Sequence, residues 1–184
     1  MDEAGFASVA SVLAIVGMSE AELDAVVVAD EKSRFERRGA LIRAAQGHSA
    51  GTPVSPDGLE ASWAPWSGDG LLWHGTTVEA ARRIAVEGLR PMQRSHVHLA
   101  LSPDSRVGKR ANVDVLLGVS PARLAERGIA VFLSPNGVAL AREVPAGCVV
   151  ALRAARRGVP LEELYGCFGL EATGVQPPNA PRIA

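Results

Sequence analysis

The first thirty residues carry apolar positions with the spacing of amphipathic helices. Residues 6–16 are mostly apolar in a helix-compatible pattern that ends at Gly17. Ser19 lies three residues before Glu22, which is the spacing of a capping box, and this predicts a second helix over 21–29. The chain is therefore expected to begin with two short helices.

Short strands follow these helices, and a polar connection follows the strands. Residues 34–36 and 41–43 have the pattern of two strands joined across 38–39. Helices followed by a hairpin are the outline of a winged-helix-like lobe, which we place at residues 1–48. Residues 49–70 are rich in Gly, Ser, Pro and Trp, a composition that predicts a linker.

Beyond residue 70, short apolar runs alternate with brief helical segments. Thr76 lies three residues before Glu79, which predicts a helix that runs to Glu87 and stops at Gly88. A shorter helix is predicted over 120–127, with proline in its first turn. The predicted strands cover 71–75, 96–99, 113–119, 131–133, 138–140 and 148–152.

The order of these elements predicts an α+β fold, because short strands are many and long helices are few. Residues 71–153 form the second predicted lobe, in which the Asn-Gly pair at 136–137 predicts a hairpin turn. Residues 154–184 have no clear periodicity, so we expect an irregular C-terminal tail with one helical turn at most, over 161–165.

Composition and charge are those of an ordinary globular protein. The chain has 184 residues, 47% of them hydrophobic and 21% charged, with a formal net charge of −1. These values exclude a disordered chain, and any nucleic-acid partner must use a local basic patch. Cys148 and Cys167 provide neither a disulfide framework nor a metal quartet. With an acidic start and no long apolar segment, we expect a cytoplasmic monomer without membrane contact.

The four histidines are the first candidates for chemistry. His48, His74, His96 and His98 lie in predicted loops or short strands, and the last two share one strand face. The chain has no fitting cysteine pair and no H-E-x-x-H motif, so no metal site is predicted. A structural, hydrogen-bonded role stays open for His98 beside a ligand-binding one.

Basic residues form two groups on either side of the predicted linker. One group lies within 32–43 and the other within 82–110. The planar fork of arginine matches phosphate oxygens, so the two groups are compatible with a cleft that holds phosphates. Two solvated charged faces would have the same composition, and this alternative stays open.

The tripeptide His74-Gly75-Thr76 lies at a predicted strand end, before a helix. A glycine there lets a ligand approach the backbone, and a helix N-terminus favours anions. A simple strand-to-helix turn would have the same residues. Because the chain has no G-x-G-x-x-G and no Walker A motif, a nucleotide would have to be held in another manner.

Longer blocks of sequence occur in a characteristic order along the chain. Residues 42–49 have the sequence IRAAQGHS, and residues 88–99 have the sequence GLRPMQRSHVHL. Smaller blocks lie at 32–35 (KSRF), 73–76 (WHGT), 107–110 (VGKR) and 134–138 (SPNGV). Together they resemble the RNA 2′-phosphotransferase family of the KptA type, over about residues 2–150.

The resemblance implies a fold and a reaction. The family joins an N-terminal winged-helix-like lobe to an ADP-ribosyltransferase lobe, and it removes an internal 2′-phosphate from RNA, here expected to be tRNA-like. The phosphate oxygen attacks the anomeric carbon of the nicotinamide ribose of NAD, and nicotinamide leaves. The neighbouring ribose hydroxyl then attacks the phosphorus of the ADP-ribosylated RNA. NAD is thus expected as a co-substrate, and no metal is required.

The resemblance also implies site residues. Arg43 and Arg94 match two arginines that act on the RNA 2′-phosphate. The matching cofactor-binding positions are His74, Gly75, Thr76, His96, His98, Leu99, Ser102, Gly108, Arg110, Ser134, Asn136 and Gly137. The matching RNA-binding positions are Lys32, Arg34 and His48.

Some family features have no counterpart in this sequence. The family normally begins with a helix bearing Leu-Arg-His, whereas this chain starts at the segment that follows it, so the first lobe is expected to be N-terminally incomplete. Ala100 and Asn112 are smaller departures. Two alternatives therefore stay open: an impaired remnant that binds RNA and NAD, and an ADP-ribosyltransferase that acts on another acceptor.

Overall fold

The structure is a computed structural model that describes residues 1–49, 53–105 and 113–171. It contains two antiparallel sheets, one of three strands and one of seven, with short helices packed on them. This arrangement confirms the predicted α+β class.

The N-terminal sheet packs on two helices. Its strands are β1 (Ala7–Ser8), β2 (Phe35–Arg38) and β3 (Leu41–Ala44), in the order β1-β3-β2, and its helices are α1 (Val9–Val16) and α2 (Glu20–Ala29). The predicted capping box is present, since Ser19 accepts from the amide of Glu22 and the Glu22 carboxylate accepts from the amide of Ser19. Gly17 ends α1 with a φ of 69°. The core between sheet and helices is formed by Val9, Leu23 and Ile42.

The larger sheet has the strand order β10-β7-β5-β6-β9-β8-β4. Its strands are β4 (Ala64–Pro65), β5 (Leu72–Thr76), β6 (Val97–Ala100), β7 (Val115–Val119), β8 (Phe132–Leu133), β9 (Val138–Ala141) and β10 (Val149–Ala154). All five residues of β7 are buried, which explains why that segment has a continuous apolar sequence instead of an alternating one.

Helices cover both faces of this sheet. They are α3 (Pro56–Ser62), α4 (Val78–Glu87), α5 (Pro121–Ala125) and α6 (Leu161–Cys167), with a short 3₁₀ helix at Ala146–Cys148. One core contains Leu72, Leu99 and Leu117, and a separate small core joins α3 to β9 through Leu59 and Leu140. Among the described residues, no helix is long and apolar enough to cross a membrane.

Two segments contain more regular structure than their composition predicted. The predicted linker 49–70 contains α3 and β4, and Leu59 within it is fully buried. The predicted tail contains α6, whose Leu164 is fully buried in the core of the larger sheet. In both cases a few apolar residues pack on the sheet and offset the weak local preference for structure.

The two parts of the chain are joined where residues 48–49 contact residues 94–95, just before β6. The amide of Ser95 donates to the carbonyl of His48 at 3.1 Å, and Ser49 pairs with Arg94 as an isolated β-bridge. A second link is weaker, because Asn136 Nδ2 donates to the Lys32 carbonyl at 3.3 Å. These contacts place the N-terminal sheet beside the open edge of a cavity.

Candidate active site

A cavity of about 440 Å³ lies between the two sheets, a volume within the usual range for ligand sites. The N-terminal part of the chain contributes Lys32, Arg34 and Gln46 to its lining. The remaining described lining residues belong to the second part and are His74, Gly75, Thr76, Ala80, Arg83, Ile84, Glu87, Gly88, Leu89, Arg90, Pro91, Met92, Arg94, His96, Val97, His98 and Asn136.

The lining carries an excess of positive charge. Five cations face one acid, Glu87, among the described lining residues, and the cations are Lys32, Arg34, Arg83, Arg90 and Arg94. Arg34 is paired with Asp30 at 2.8 Å, and Arg90 is paired with Glu143. Within the described part of the chain, neither Lys32 nor Arg83 has a carboxylate partner. The cavity therefore attracts anions, which supports the phosphate-cleft interpretation of the two basic groups.

One face of α4 forms a wall of the cavity. Ala80, Arg83, Ile84 and Glu87 all line it, at the spacing of a single helical face. Arg82, the neighbour of Arg83, points elsewhere and pairs with Glu163 of α6. This wall offers apolar contact between charged groups, a combination that suits a nucleoside with its phosphates.

His98 contacts two other residues of the cavity, Arg94 through its side chain and His74 through its backbone carbonyl. Nη1 of Arg94 lies 2.7 Å from Nδ1 of His98, and Nδ1 of His74 lies 3.1 Å from the carbonyl oxygen of His98. Burial, followed by the positive charge of Arg94, lowers the pKa of His98 to about 3. His98 is therefore neutral at physiological pH.

His96 also lines the cavity, but both of its ring nitrogens are engaged by the protein. Nε2 lies 2.9 Å from Oε1 of Glu60, and Nδ1 lies 3.0 Å from the hydroxyl of Ser95. Its side chain has no exposed surface. His96 and His98 both line the cavity, but in this arrangement neither ring nitrogen of His96 is left without a protein partner.

The His-Gly-Thr strand reaches the cavity as predicted, with two differences. A Cβ at Gly75 would lie 2.9 Å from a methyl carbon of Val113, so packing alone requires a glycine there. The residue that caps α4 is Thr77, which accepts from the amide of Ala80, so the predicted Thr76–Glu79 cap was wrong by one residue. Thr76 ends β5 and is buried.

Arg43 does not line the cavity. Its side chain is fully buried, and its guanidinium pairs with Glu36 at 2.6 Å. The guanidinium also donates to the Ala4 carbonyl at 2.8 Å and to the Ser62 hydroxyl at 2.6 Å, and it lies 4.4 Å from the ring centre of Phe6. The structure therefore does not bring Arg43 and Arg94 together in one crevice.

Other predicted residues support the site without lining it. Leu99 packs in the core, the Ser134 hydroxyl is used within the 134–138 turn, and the Ser102 hydroxyl accepts from the amide of Asp104. Gly137 has a φ of 74°, which its place in that turn requires. Burial and the nearby Arg43 lower the pKa of His48, whose ring packs against Gly5. Gly108 and Arg110 lie outside the described residues.

Sequence reasoning singled out the basic residues of 82–110 but missed that one face of α4 forms a wall of the cavity. The amphipathic spacing of 80, 83, 84 and 87 was the signal that could have found this wall. In the loop after α4, Met92 lines the cavity together with Arg90. Met92 is 81% exposed and has a φ of 58°. No group of three or more potential metal-ligating side chains occurs among the residues described.

Comparison with known proteins identifies relatives across most of the chain. Residues 1–143 match the family model described as RNA 2'-phosphotransferase, Tpt1 / KptA family. A protein of Streptomyces coelicolor named as a probable RNA 2'-phosphotransferase is 37% identical over 153 residues, 78% of this chain and 79% of that protein. Proteins with the same name from Burkholderia lata and Pyrococcus furiosus are 36% and 31% identical, over 79% and 80% of this chain and 77% and 81% of theirs.

Proposed function

Because this chain belongs to the RNA 2'-phosphotransferase, Tpt1 / KptA, family, we propose that it transfers an internal RNA 2′-phosphate to NAD. The products are RNA with a free 2′-hydroxyl, nicotinamide and ADP-ribose 1″,2″-cyclic phosphate. One observation carries the proposal: a single cationic cavity gathers Arg94, His74 and His98 with Lys32 and Arg34 from the other sheet.

Charge is the main requirement of this reaction. A phosphate nucleophile must approach a co-substrate that already carries a pyrophosphate, and the two anions repel one another. Unpaired cations at the cavity offset this repulsion, and they do so more strongly where water is excluded. We assign the reacting phosphate to Arg94 and the pyrophosphate to the side of α4 that carries Arg83.

The residues present fit NAD without a metal. Ala80 and Ile84 provide apolar contact for a nucleoside, and His98 is neutral and can donate a hydrogen bond to a ribose oxygen. In the first step the phosphate oxygen bonds to the anomeric carbon while the bond to nicotinamide breaks. In the second step the neighbouring ribose hydroxyl attacks phosphorus and the RNA 2′-oxygen leaves.

The two parts of the molecule take separate roles in this proposal. Residues 1–48 act as a winged-helix-like lobe that binds RNA through Lys32, Arg34 and His48. Residues 71–153 act as an ADP-ribosyltransferase-like lobe that binds NAD. Helix α3 of the connection 49–70 and helix α6 of the tail 154–184 support the second lobe, because both pack on its sheet.

The pairing of Arg43 with Glu36 favours a second candidate function, that of a protein that binds NAD and RNA but does not complete the reaction. In this structure Glu36 neutralises Arg43, which would have to exchange that carboxylate for phosphate before acting as the second arginine of the resemblance. A chain in which this exchange fails would bind NAD and RNA and would stall before or after nicotinamide release.

One experiment tests both candidates. The protein is mixed with NAD and an oligonucleotide bearing one internal 2′-phosphate, and nicotinamide and dephosphorylated RNA are measured separately. Equal amounts of both products at multiple turnover support the proposal. Nicotinamide with ADP-ribosylated RNA indicates a stall after nicotinamide release. The absence of both products rejects 2′-phosphate transfer and leaves the candidate that binds NAD and RNA without turnover.

A further inference from the structure

A network of charged and polar side chains lies between α3 and the residues just before β6, and it extends from the buried His96 to the exposed Asp57. Oε1 of Glu60 accepts from Nε2 of His96 at 2.9 Å and from Nε of Arg142 at 2.6 Å. Oε2 of Glu60 accepts from Arg142 at 2.8 Å. Arg142 also pairs with Asp57, one turn before Glu60 on α3. No part of the proposed reaction uses Glu60.

This network fixes the protonation of His96. Because a carboxylate only accepts, Nε2 of His96 carries the proton and Nδ1 accepts from the Ser95 hydroxyl. Burial lowers the pKa of His96 although Glu60 opposes the shift, so the ring is neutral. Trp63 packs edge-on against the ring, with centroids 5.1 Å apart. The ring is thus held by two hydrogen bonds and by Trp63, and neither of its nitrogens is available to bind substrate in this arrangement.

Along the chain, the anchored ring lies between two groups of the proposed site, one assigned to the reacting phosphate and the other to a ribose oxygen. Arg94 lies two residues before His96, and His98 lies two residues after it. The intervening backbone is held as well, since the Ser95 amide donates to the His48 carbonyl and Arg94 pairs with Ser49. A shift of His96 would therefore move Arg94, His98 and the contact between the two sheets together.

We propose that Glu60 is a positioning residue: through its bond to His96 it holds residues 94–98 so that Arg94 and His98 face the cavity. The catalytic consequence rests on the proposed function, whereas the effect on His96 does not. Glu60 is well suited to this task because Arg142 and His96 together outweigh its burial and lower its pKa, which keeps the carboxylate ionised.

The test compares Glu60→Ala with Glu60→Gln and uses Asp57→Ala as the matched control. Alanine removes the acceptor for His96, whereas glutamine can present its amide oxygen in place of Oε1. Asp57 contacts the same Arg142, but its side chain is 85% exposed. We expect Glu60→Ala to lower kcat for 2′-phosphate removal about 10- to 100-fold, Glu60→Gln to restore most of it, and Asp57→Ala to match the wild type.

A second readout separates positioning from stability and from the function itself. Nitrogen NMR of labelled histidines reports the tautomers of His96 and His98 without any turnover. Loss of the His96 Nε2 tautomer in folded Glu60→Ala, with a changed His98 signal, supports the proposal. Unchanged signals overturn it, as does a folded Glu60→Gln that is as inactive as Glu60→Ala. Wild-type protein that lacks turnover would reject the proposed function and leave the NMR test in force.

Discussion

Arg94 and His98 are joined by a contact of 2.7 Å between Nη1 and Nδ1. A guanidinium has no acceptor, so Nδ1 of His98 must accept and the ring proton must lie on Nε2. The carbonyl of the same residue accepts from Nδ1 of His74 at 3.1 Å, so Nδ1 carries a proton in His74 but not in His98. In the proposed reaction His98 can therefore act as a hydrogen-bond donor through Nε2.

This contact predicts the acid sensitivity of the fold. The pKa of His98 is about 3 in the folded chain, by burial and Arg94, whereas an unfolded histidine titrates near pH 6.5. Between these values the unfolded chain binds the additional proton, so stability falls as the pH falls, by at most about 1.4 kcal/mol per pH unit. We expect His98→Gln to flatten the fall in unfolding free energy between about pH 6.5 and about pH 5.

Urea unfolding at several pH values provides the measurement for His98→Gln. The pKa values of His48 and His96 are lowered as well, so a residual slope is expected in the variant. A variant whose stability depends on pH as steeply as the wild type would show that His98 titrates normally in the folded chain.

Replacing Arg94 should remove transition-state stabilisation at the phosphate. We expect Arg94→Ala to lower kcat for 2′-phosphate transfer about 10²- to 10³-fold, the usual effect of losing one preorganised donor. Arg94→Lys should recover little, because an ammonium lacks the planar fork that can hold His98 and phosphate together. Arg123→Ala is the control, since Arg123 lies on α5 and donates to the Gly147 carbonyl. Wild-type turnover in Arg94→Ala would contradict the assignment.

Arg43 is expected to stabilise the fold in the arrangement seen here. Its side chain is fully buried and that of Glu36 is 13% exposed, so Arg43→Met leaves a largely buried carboxylate whose remaining ion-pair partner among the described residues is Arg38. We expect a loss of about 3 kcal/mol in unfolding free energy, measured by urea denaturation. If Arg43→Met leaves the unfolding free energy unchanged but abolishes turnover, Arg43 contacts the phosphate during the reaction instead of stabilising the fold.

The sequence predicted those parts of the fold that depend on local patterns. The capping box at Ser19, the glycine stops at Gly17 and Gly88, and the 134–137 turn are confirmed because each depends on residues within one turn of chain. The packing of α3 and α6 was missed, because it depends on single buried leucines that meet a distant sheet.

The candidate site also has a part that could be predicted from the sequence and a part that could not. The resemblance implied that His74, Arg94 and His98 act at one site, and the structure brings them together at one cavity. Side-chain partners from distant segments could not be foreseen: Glu36 holds Arg43, and Glu60 occupies His96. A motif predicts which histidines and arginines lie near the site. The side-chain partners of each residue then determine which of its atoms remain available to bind a ligand.

The C-terminal helix α6 should be part of the cooperative unit. Leu164 is fully buried against the larger sheet, and Leu164→Ala should lower the unfolding free energy by about 2–5 kcal/mol. Glu162→Ala, on the exposed side of the same helix, is the control and should change it little. Urea denaturation measures both, and a wild-type midpoint for Leu164→Ala would show that α6 is dispensable.

Arg83 and Arg82 offer a test of where the anionic co-substrate lies. Both are exposed arginines on α4, but Arg83 lines the cavity whereas Arg82 pairs with Glu163. Removing either one changes the net charge equally, so a general electrostatic effect would weaken NAD binding equally in both variants. A direct bond between Arg83 and a phosphate would weaken it only in Arg83→Ala, about 10-fold for the loss of one charge-assisted bond. We expect the second result by calorimetry, together with a shallower salt dependence of binding in Arg83→Ala alone. An equal loss of NAD affinity in the two variants would be a general effect of the cationic cavity and would show that Arg83 does not bind a phosphate directly.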